Sequence, residues 1–121
     1  MTFHVGTDIV EVNRIKDAIM RNDLFRNRVF SEMEIDYCEG RGKSKFQSYA
    51  GKFSAKEAVY KALCNYINFD YKYTDFEILN YPDGKPYVKL NFKIEQLDQI
   101  DISISHSRDY AVCNAIAIIK N

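Results

Sequence analysis

A carboxylate interrupts an apolar row in the middle of the sequence, so segment 46–66 is the first place to look for chemistry. Apolar residues recur there at alternating steps of about four and three, which predicts one face of an α-helix: Phe46, Ala50, Phe53, Tyr60 and Cys64. Glu57 occupies the missing position. Because burying an unpaired carboxylate is costly, Glu57 needs a metal ion, a cation or a proton as its partner. Lys61 is the nearest cation, and an ordinary (i, i+4) pair is the structural alternative to catalysis.

Two further residues could complete a site. Asp8 lies near the end of a strand-like segment, and His106 follows the alternating segment 100–105. Each also has a purely structural interpretation, Asp8 as a turn or helix-capping residue and His106 as a hydrogen-bonded loop histidine. If a metal binds, two carboxylates with phosphate oxygens favour magnesium. Two histidines and three scattered cysteines do not make a convincing zinc site.

Other catalytic arrangements find little support. Ser105, His106 and Asp109 contain the residue types of a hydrolase triad, but neighbours on an extended chain point apart and no G-x-S-x-G motif occurs. No G-x-G-x-x-G follows any predicted strand, which argues against a dinucleotide site.

The composition bounds the class of protein. A chain of 121 residues is the size of one domain, and we treat 1–121 as such. Its formal net charge is zero, so nothing global favours nucleic acid or an anionic membrane as partner. Cys38, Cys64 and Cys113 lack disulfide or zinc spacing, which favours free thiols in a reducing cytosol. No leader or membrane-spanning run is recognisable, so we expect a cytoplasmic protein.

The remaining elements must position these residues. A strand ending near 8–11 precedes a helix whose apolar stripe includes Val12, Ile15 and Ile19. Ser31 and Glu34 have capping-box spacing, and the basic loop 40–45 leads into the long helix, whose second apolar row (55, 58, 59, 62 and 66) predicts burial on both faces.

Strands dominate the second half. Segments 75–80 and 87–92 flank a turn with Pro82 and Gly84, which predicts a hairpin. Segment 110–119 is apolar on both faces apart from Asn114, as expected for a central strand or one buried in a subunit contact. The order of strand, helices and then strands predicts an α+β fold that is mostly antiparallel.

Together these segments resemble the holo-acyl-carrier-protein synthases, the small single-domain 4′-phosphopantetheinyl transferases. The resemblance covers nearly the whole chain and rests on four motifs in the family's order: Val5–Val12 with Arg14-Ile15, similar to G-x-D-I-x-E; Ala50–Ala58 with Lys61–Leu63, similar to A-x-R-[FW]-A-x-K-E-A and K-A; Asp83–Tyr87; and Ile102–His106. The resemblance implies the 4′-phosphopantetheinyl transferase fold, in which the long helix packs on a mostly antiparallel sheet.

The resemblance also implies a reaction. The 4′-phosphopantetheine arm of coenzyme A would pass to a serine of an apo acyl carrier protein, releasing adenosine 3′,5′-bisphosphate. Asp8 and Glu57 would hold Mg²⁺ with the pyrophosphate, and Lys61 would contact that pyrophosphate. The serine proton would pass to Glu57 or to a neighbouring water, and the sequence does not separate these.

The resemblance places further residues around the two substrates. His106, Lys52, Lys43, Lys45 and the hairpin residue Lys85 would face coenzyme A. An acidic carrier would dock on a strip formed by Arg14, Arg21, Phe25 and Arg28, although a solvated helix face is the alternative. In this family three subunits form a ring with sites at the interfaces, so we expect a homotrimer in which segment 110–119 is buried.

Two positions depart from the family's pattern. Cys64-Asn65-Tyr66 stand where glycines usually follow the K-A motif, and Tyr66 would lie near the pantetheine path. Lys52 replaces an arginine, exchanging a bidentate phosphate contact for a single ammonium group. An impaired module that only binds carrier protein is therefore the alternative function, and the sequence does not say which carrier is served or whether acyl-coenzyme A is accepted.

Overall fold

The computed structural model describes all 121 residues. The strands are β1 (Thr2–Glu11), β2 (Phe76–Asn80), β3 (Pro86–Leu90), β4 (Leu97–His106) and β5 (Tyr110–Ile119). The helices are α1 (Val12–Arg21), α2 (Asp23–Val29), α3 (Glu32–Glu39) and α4 (Lys45–Leu63). Short 3-10 turns occupy Gly42–Ser44, Cys64–Tyr66 and Tyr73–Asp75. None of the helices combines the length and apolar character needed to cross a bilayer.

The strands form two antiparallel units. One is a three-stranded sheet in the order β1-β5-β4, and the other is the β2-β3 hairpin. Strand β5 is the central strand of this sheet, which is one of the two alternatives that the sequence left for segment 110–119. Its buried residues alternate with more exposed ones. Gly84 has a φ of 95°, the positive value expected for the hairpin turn.

Helix α4 lies between two clusters of buried side chains, as its two apolar rows predict. On one side Ala58, Val59 and Leu63 pack with β2, β4 and β5. On the other, Tyr49 and Ala50 pack with α1, α2 and α3. Gly6 of β1 permits the closest approach, because a Cβ there would collide with the carbonyl oxygen of Ala58. Strand β1 and helix α4 are therefore in direct backbone contact.

Helix α3 begins where the sequence predicts, whereas α2 is a separate helix that the sequence did not predict. The Ser31 hydroxyl accepts from the backbone of Glu34, and Glu34 in turn accepts from the backbone of Ser31, so the predicted capping box opens α3. Asn22 is extended and separates α1 from α2. This break places Arg28 on a different helix from Arg14 and Arg21.

Candidate active site

The contact between β1 and α4 brings together Asp8 and Lys61, two of the three predicted catalytic residues. Lys61 Nζ lies 3.4 Å from Asp8 Oδ1 and donates to the carbonyl oxygen of Thr7 at 2.9 Å. The hydroxyl of Ser54 donates to the backbone carbonyl of Asp8 at 2.9 Å and ties the strand to the helix. Glu57 is one turn before Lys61 and therefore shares its face of α4. Asp8 lies inside β1, opposite Cys113, rather than at its end.

Glu57 has a partner other than the expected one. The hydroxyl of Tyr73, in the 3-10 turn before β2, donates to Glu57 Oε1 at 2.6 Å. No ion pair joins Glu57 to Lys61, so the structural alternative of an (i, i+4) pair is wrong: Lys61 turns to β1 instead. Glu57 is half-buried rather than enclosed in the core. Burial, together with the bond to Glu57, raises the pKa of Tyr73.

The donor set at this point fits a hard divalent cation. Asp8 Oδ1 faces an ammonium group and Glu57 Oε1 accepts from a phenol, while Oδ2 and Oε2 accept no hydrogen bond within the chain. No group of three or more histidine, cysteine or acidic side chains exists that could enclose a metal alone. A ligand set of two carboxylate oxygens, completed by substrate and water, is typical of Mg²⁺ rather than of zinc.

A separate basic cavity of about 220 Å³ lies on another face of α4. Lys52, Arg41 and His106 reach it, and Gly84 and Pro86 of the hairpin form its rim. Lys52 is 3% exposed and donates to the Ile78 carbonyl at 2.5 Å and to Asn80 Oδ1 at 2.6 Å. Burial lowers the pKa of Lys52 to about 8. Two cationic side chains and a histidine that converge beside the hairpin turn form an anion-binding arrangement.

The other predicted contacts to coenzyme A do not line this cavity. Lys43 lies in the 3-10 turn before α4, and Lys45 pairs with Glu39 at 3.2 Å. Lys85 lies in the hairpin turn between two rim residues. Arg41 does reach the cavity, although sequence reasoning did not select it from the basic loop.

Comparison with known proteins identifies the family of this chain. The sequence profile of the 4′-phosphopantetheinyl transferase superfamily matches residues 4–115. The chain belongs to this superfamily. A relative from Ruminiclostridium cellulolyticum, named holo-[acyl-carrier-protein] synthase, is 44% identical over 96% of this chain and 92% of its own. A second relative with the same name, from Fusobacterium nucleatum, is 40% identical to this chain, and the match covers 98% of this chain and 100% of the relative.

Solved structures of holo-[acyl-carrier-protein] synthases share the fold. The Bacillus anthracis protein in complex with CoA (3′,5′-ADP) has a TM-score of 0.79 at 30% identity, covering 98% of this chain and 96% of that one. The Helicobacter pylori protein in complex with coenzyme A has a TM-score of 0.81 at 29% identity, and the match covers 94% of this chain and 99% of that one. The predicted α+β transferase fold is thereby confirmed.

The departure from the superfamily pattern at Cys64–Tyr66 is accommodated without strain. These residues form a 3-10 turn, and no residue other than glycine has a positive φ anywhere in the chain. The Tyr66 hydroxyl lies 3.1 Å from His4 Nε2 and its ring meets the His4 ring edge-on at 5.4 Å. Tyr66 therefore packs against β1, while Cys64 remains an exposed free thiol.

The arginines expected to meet a carrier protein are free at the surface. Arg14, Arg21 and Arg28 are exposed, and none forms an ion pair. Phe25 instead turns inward, with its ring 6.1 Å from that of Phe53 and 6.4 Å from that of Phe30. Two exposed apolar residues, Met20 and Leu24, lie on these helices.

One buried ion pair was missed by sequence reasoning. Lys56 Nζ lies 2.8 Å from Glu34 Oε1, with both side chains fully enclosed, and donates to the carbonyl oxygens of Tyr73 and Phe76. Glu34 also accepts from the backbone of Ile78 at 2.8 Å. The signal was present, since Lys56 lies between Ala55 and Ala58 on a buried helix. A charged residue among apolar helix positions needs a partner, and this argument holds for Lys56 as it does for Glu57.

Proposed function

We propose that this chain transfers the 4′-phosphopantetheine arm of coenzyme A to a serine hydroxyl of an apo acyl carrier protein, releasing adenosine 3′,5′-bisphosphate. The observation that carries the proposal is the contact of Lys61 with Asp8 where β1 meets α4, with Glu57 one helical turn before Lys61 on the same helix. Relatives at 40% and 44% identity that are named for this activity support it.

Each residue of this group has a role in the reaction. Asp8 and Glu57 would hold Mg²⁺, which supplies charge neutralisation at the phosphoryl group under attack. Lys61, whose side chain is 54% exposed, presents its ammonium group to the pyrophosphate and stabilises the negative charge of the departing bisphosphate. The proton that the serine hydroxyl loses passes to Glu57 or to a water beside it.

The basic cavity takes the nucleotide part of coenzyme A. Lys52 and Arg41 offer positive charge to its phosphates, and His106 adds a ring that can donate to or stack on the nucleotide. Lys52 already satisfies two acceptors of its own chain, which fixes its position before the substrate arrives. Lys43, Lys45 and Lys85 contribute long-range attraction for the anionic substrate.

The two halves of the site meet between subunits of a homotrimer. Lys52 and Glu57 are five residues apart on α4, which separates them by about 140° around the axis and about 7.5 Å along it. The outer face of the sheet exposes Phe3, Val5, Ile9 and Ile116. A contiguous apolar face of this kind is a subunit contact. Burying it would bring the basic cavity of one subunit to the carboxylates of the next.

The acidic carrier docks on α1 and α2. Arg14 and Arg21 are seven residues apart and share one face of α1, and Arg28 extends the positive charge onto α2. Because Phe25 is half-buried against Phe53, the apolar part of the contact comes from Met20 and Leu24, both 68% exposed. Unpaired exposed arginines raise the association rate with an acidic partner.

One experiment tests the transfer. The protein, coenzyme A, Mg²⁺ and an apo acyl carrier protein are incubated, and the intact carrier mass is followed. We expect addition of one phosphopantetheine arm with the wild type and none with Asp8→Asn or Glu57→Gln. Carrier binding without mass addition would show the alternative, a module that binds carrier but has lost its chemistry. Undiminished transfer by Asp8→Asn would refute the assignment of the metal ligands.

A further inference from the structure

The hydroxyl of Tyr73 is the one protein group that holds Glu57 in place. It donates to Oε1 at 2.6 Å, a short bond of the kind formed with a carboxylate. Glu57 makes no other side-chain hydrogen bond, and its neighbour Lys61 is engaged with Thr7 and Asp8. Without Tyr73, the three side-chain torsions of Glu57 would have no polar restraint.

Tyr73 itself is fixed at two further points. Its ring stacks on that of Phe53, with centroids 5.8 Å apart and planes at 24°. Its backbone carbonyl accepts from Lys56 Nζ at 3.0 Å. Lys56 in turn is held by Glu34, and both of these side chains are fully buried. The hydroxyl therefore projects from a turn that is anchored to the inside of the protein.

We propose that Tyr73 is a positioning residue for the transfer reaction, holding Glu57 through Oε1 so that Oε2 faces the metal and substrate. This inference rests on the proposed function. It makes the buried pair of Glu34 and Lys56 part of the support for the active site, because that pair fixes the turn from which Tyr73 reaches Glu57. A residue that acts this way changes the geometry of the reacting group without touching the substrate.

The decisive variant is Tyr73→Phe, which keeps the stacked ring and removes only the hydroxyl. Tyr71→Phe is its matched control: Tyr71 lines the same small cavity as Tyr73 and Glu57, lies 5.1 Å from the Tyr60 ring and makes no hydrogen bond to Glu57. We expect Tyr73→Phe to lower kcat about tenfold, the equivalent of one hydrogen bond to a charged group. The KM for coenzyme A should stay within about twofold of wild type, because Lys52 and His106 are untouched.

A second measurement separates this proposal from the proposed function. Mn²⁺ binding is titrated in the presence of coenzyme A, with free Mn²⁺ followed by electron paramagnetic resonance against a protein-free blank. Tyr73→Phe should bind Mn²⁺ several-fold more weakly than wild type, and Tyr71→Phe should match wild type. Equal affinity in Tyr73→Phe and wild type would overturn the positioning role whatever the transfer rates are. A wild type that binds Mn²⁺ but modifies no carrier would overturn the proposed function alone, and no Mn²⁺ binding by wild type would overturn both.

Discussion

Glu34 and Lys56 form an ion pair of 2.8 Å in which neither side chain is exposed to solvent. The ammonium group also donates to two backbone carbonyls, and the carboxylate accepts from the backbone of Ser31 and Ile78. The pair thus connects α3 and α4 to the turn before β2. Burial lowers the pKa of Lys56, and the Glu34 carboxylate opposes that shift.

Removing one partner of this pair should destabilise the fold strongly. Lys56→Met leaves the Glu34 carboxylate buried without its cation, which costs about 3–5 kcal/mol in the free energy of unfolding. The double variant Lys56→Met with Glu34→Gln should lose less than the sum of the single variants, as measured by urea denaturation. Lys93→Met, which removes the exposed pair with Glu95, is the control and should leave the midpoint unchanged. Additive losses would contradict direct coupling.

The sequence named Asp8, Glu57 and Lys61 as candidate site residues, but it did not give the partners that Glu57 and Lys61 have in the structure. Helical spacing shows that Glu57 and Lys61 share a face, and it cannot show what a neighbouring element brings to that face. In the structure β1 supplies Asp8 and the Thr7 carbonyl to Lys61, and the turn before β2 supplies Tyr73 to Glu57. The partners of Lys61 and of Glu57 come from other elements of the fold, so the periodicity of the α4 segment alone cannot predict them.

The elements themselves were more accessible to prediction. The capping box, the hairpin turn at Gly84 and the central position of β5 each follow from a local pattern with a direct physical cause. The burial of Lys52 and Lys56 was not predicted, because a lysine is normally exposed. Their burial depends on the carbonyls of Ile78, Phe76 and Tyr73 arriving from β2 and the turn before it.

Lys52 should make coenzyme A binding sensitive to pH. Its pKa is lowered by burial to about 8, so the ammonium form that attracts phosphate prevails below that value and is lost as the pH rises through it. Lys52→Arg keeps its charge over the whole range. The ratio of the wild-type Kd to the Lys52→Arg Kd should rise about tenfold between pH 7 and 9, measured calorimetrically at constant ionic strength. A constant ratio would show that Lys52 is not the group that meets the anion.

Gly6 should tolerate no side chain. A Cβ there would collide with the Ala58 carbonyl and come within 2.8 Å of the Ala62 nitrogen, both backbone atoms that cannot rotate away. Gly6→Ala should therefore cost about 3 kcal/mol or more of stability and reduce transfer, because Asp8 and Glu57 lie on the two elements forced apart. Gly40→Ala is the control, since a Cβ there meets its nearest atoms at 3.5 Å. Equal stability of the two variants would refute the close contact of β1 with α4.

Charge reversal on α1 should weaken the encounter with the carrier. Arg14→Glu and Arg21→Glu should raise the KM for the carrier while leaving the KM for coenzyme A nearly constant, because the basic cavity is built from other elements. The effect should shrink as salt is added, since screening weakens steering between exposed charges. Lys93→Glu, an equal change at a remote exposed lysine, is the control. If all three variants behave alike at low ionic strength, the arginines form an ordinary solvated face.

A substitution that disrupts the outer face of the sheet should both separate the subunits and abolish activity. Val5 is 67% exposed on β1 although it belongs to an apolar group with Phe3, Ile9 and Ile116. Val5→Asp places a charge in the proposed contact, where burial without a partner is unfavourable. Light scattering should give the mass of three 14.1 kDa chains for wild type and of one chain for the variant. Met33→Asp, which alters an exposed apolar residue of α3, should remain trimeric and active. Since the basic cavity and the carboxylates lie on different faces of α4, an active Val5→Asp monomer would place the complete site within one chain and refute a site shared between subunits. A wild type with the mass of a single chain would refute the trimer.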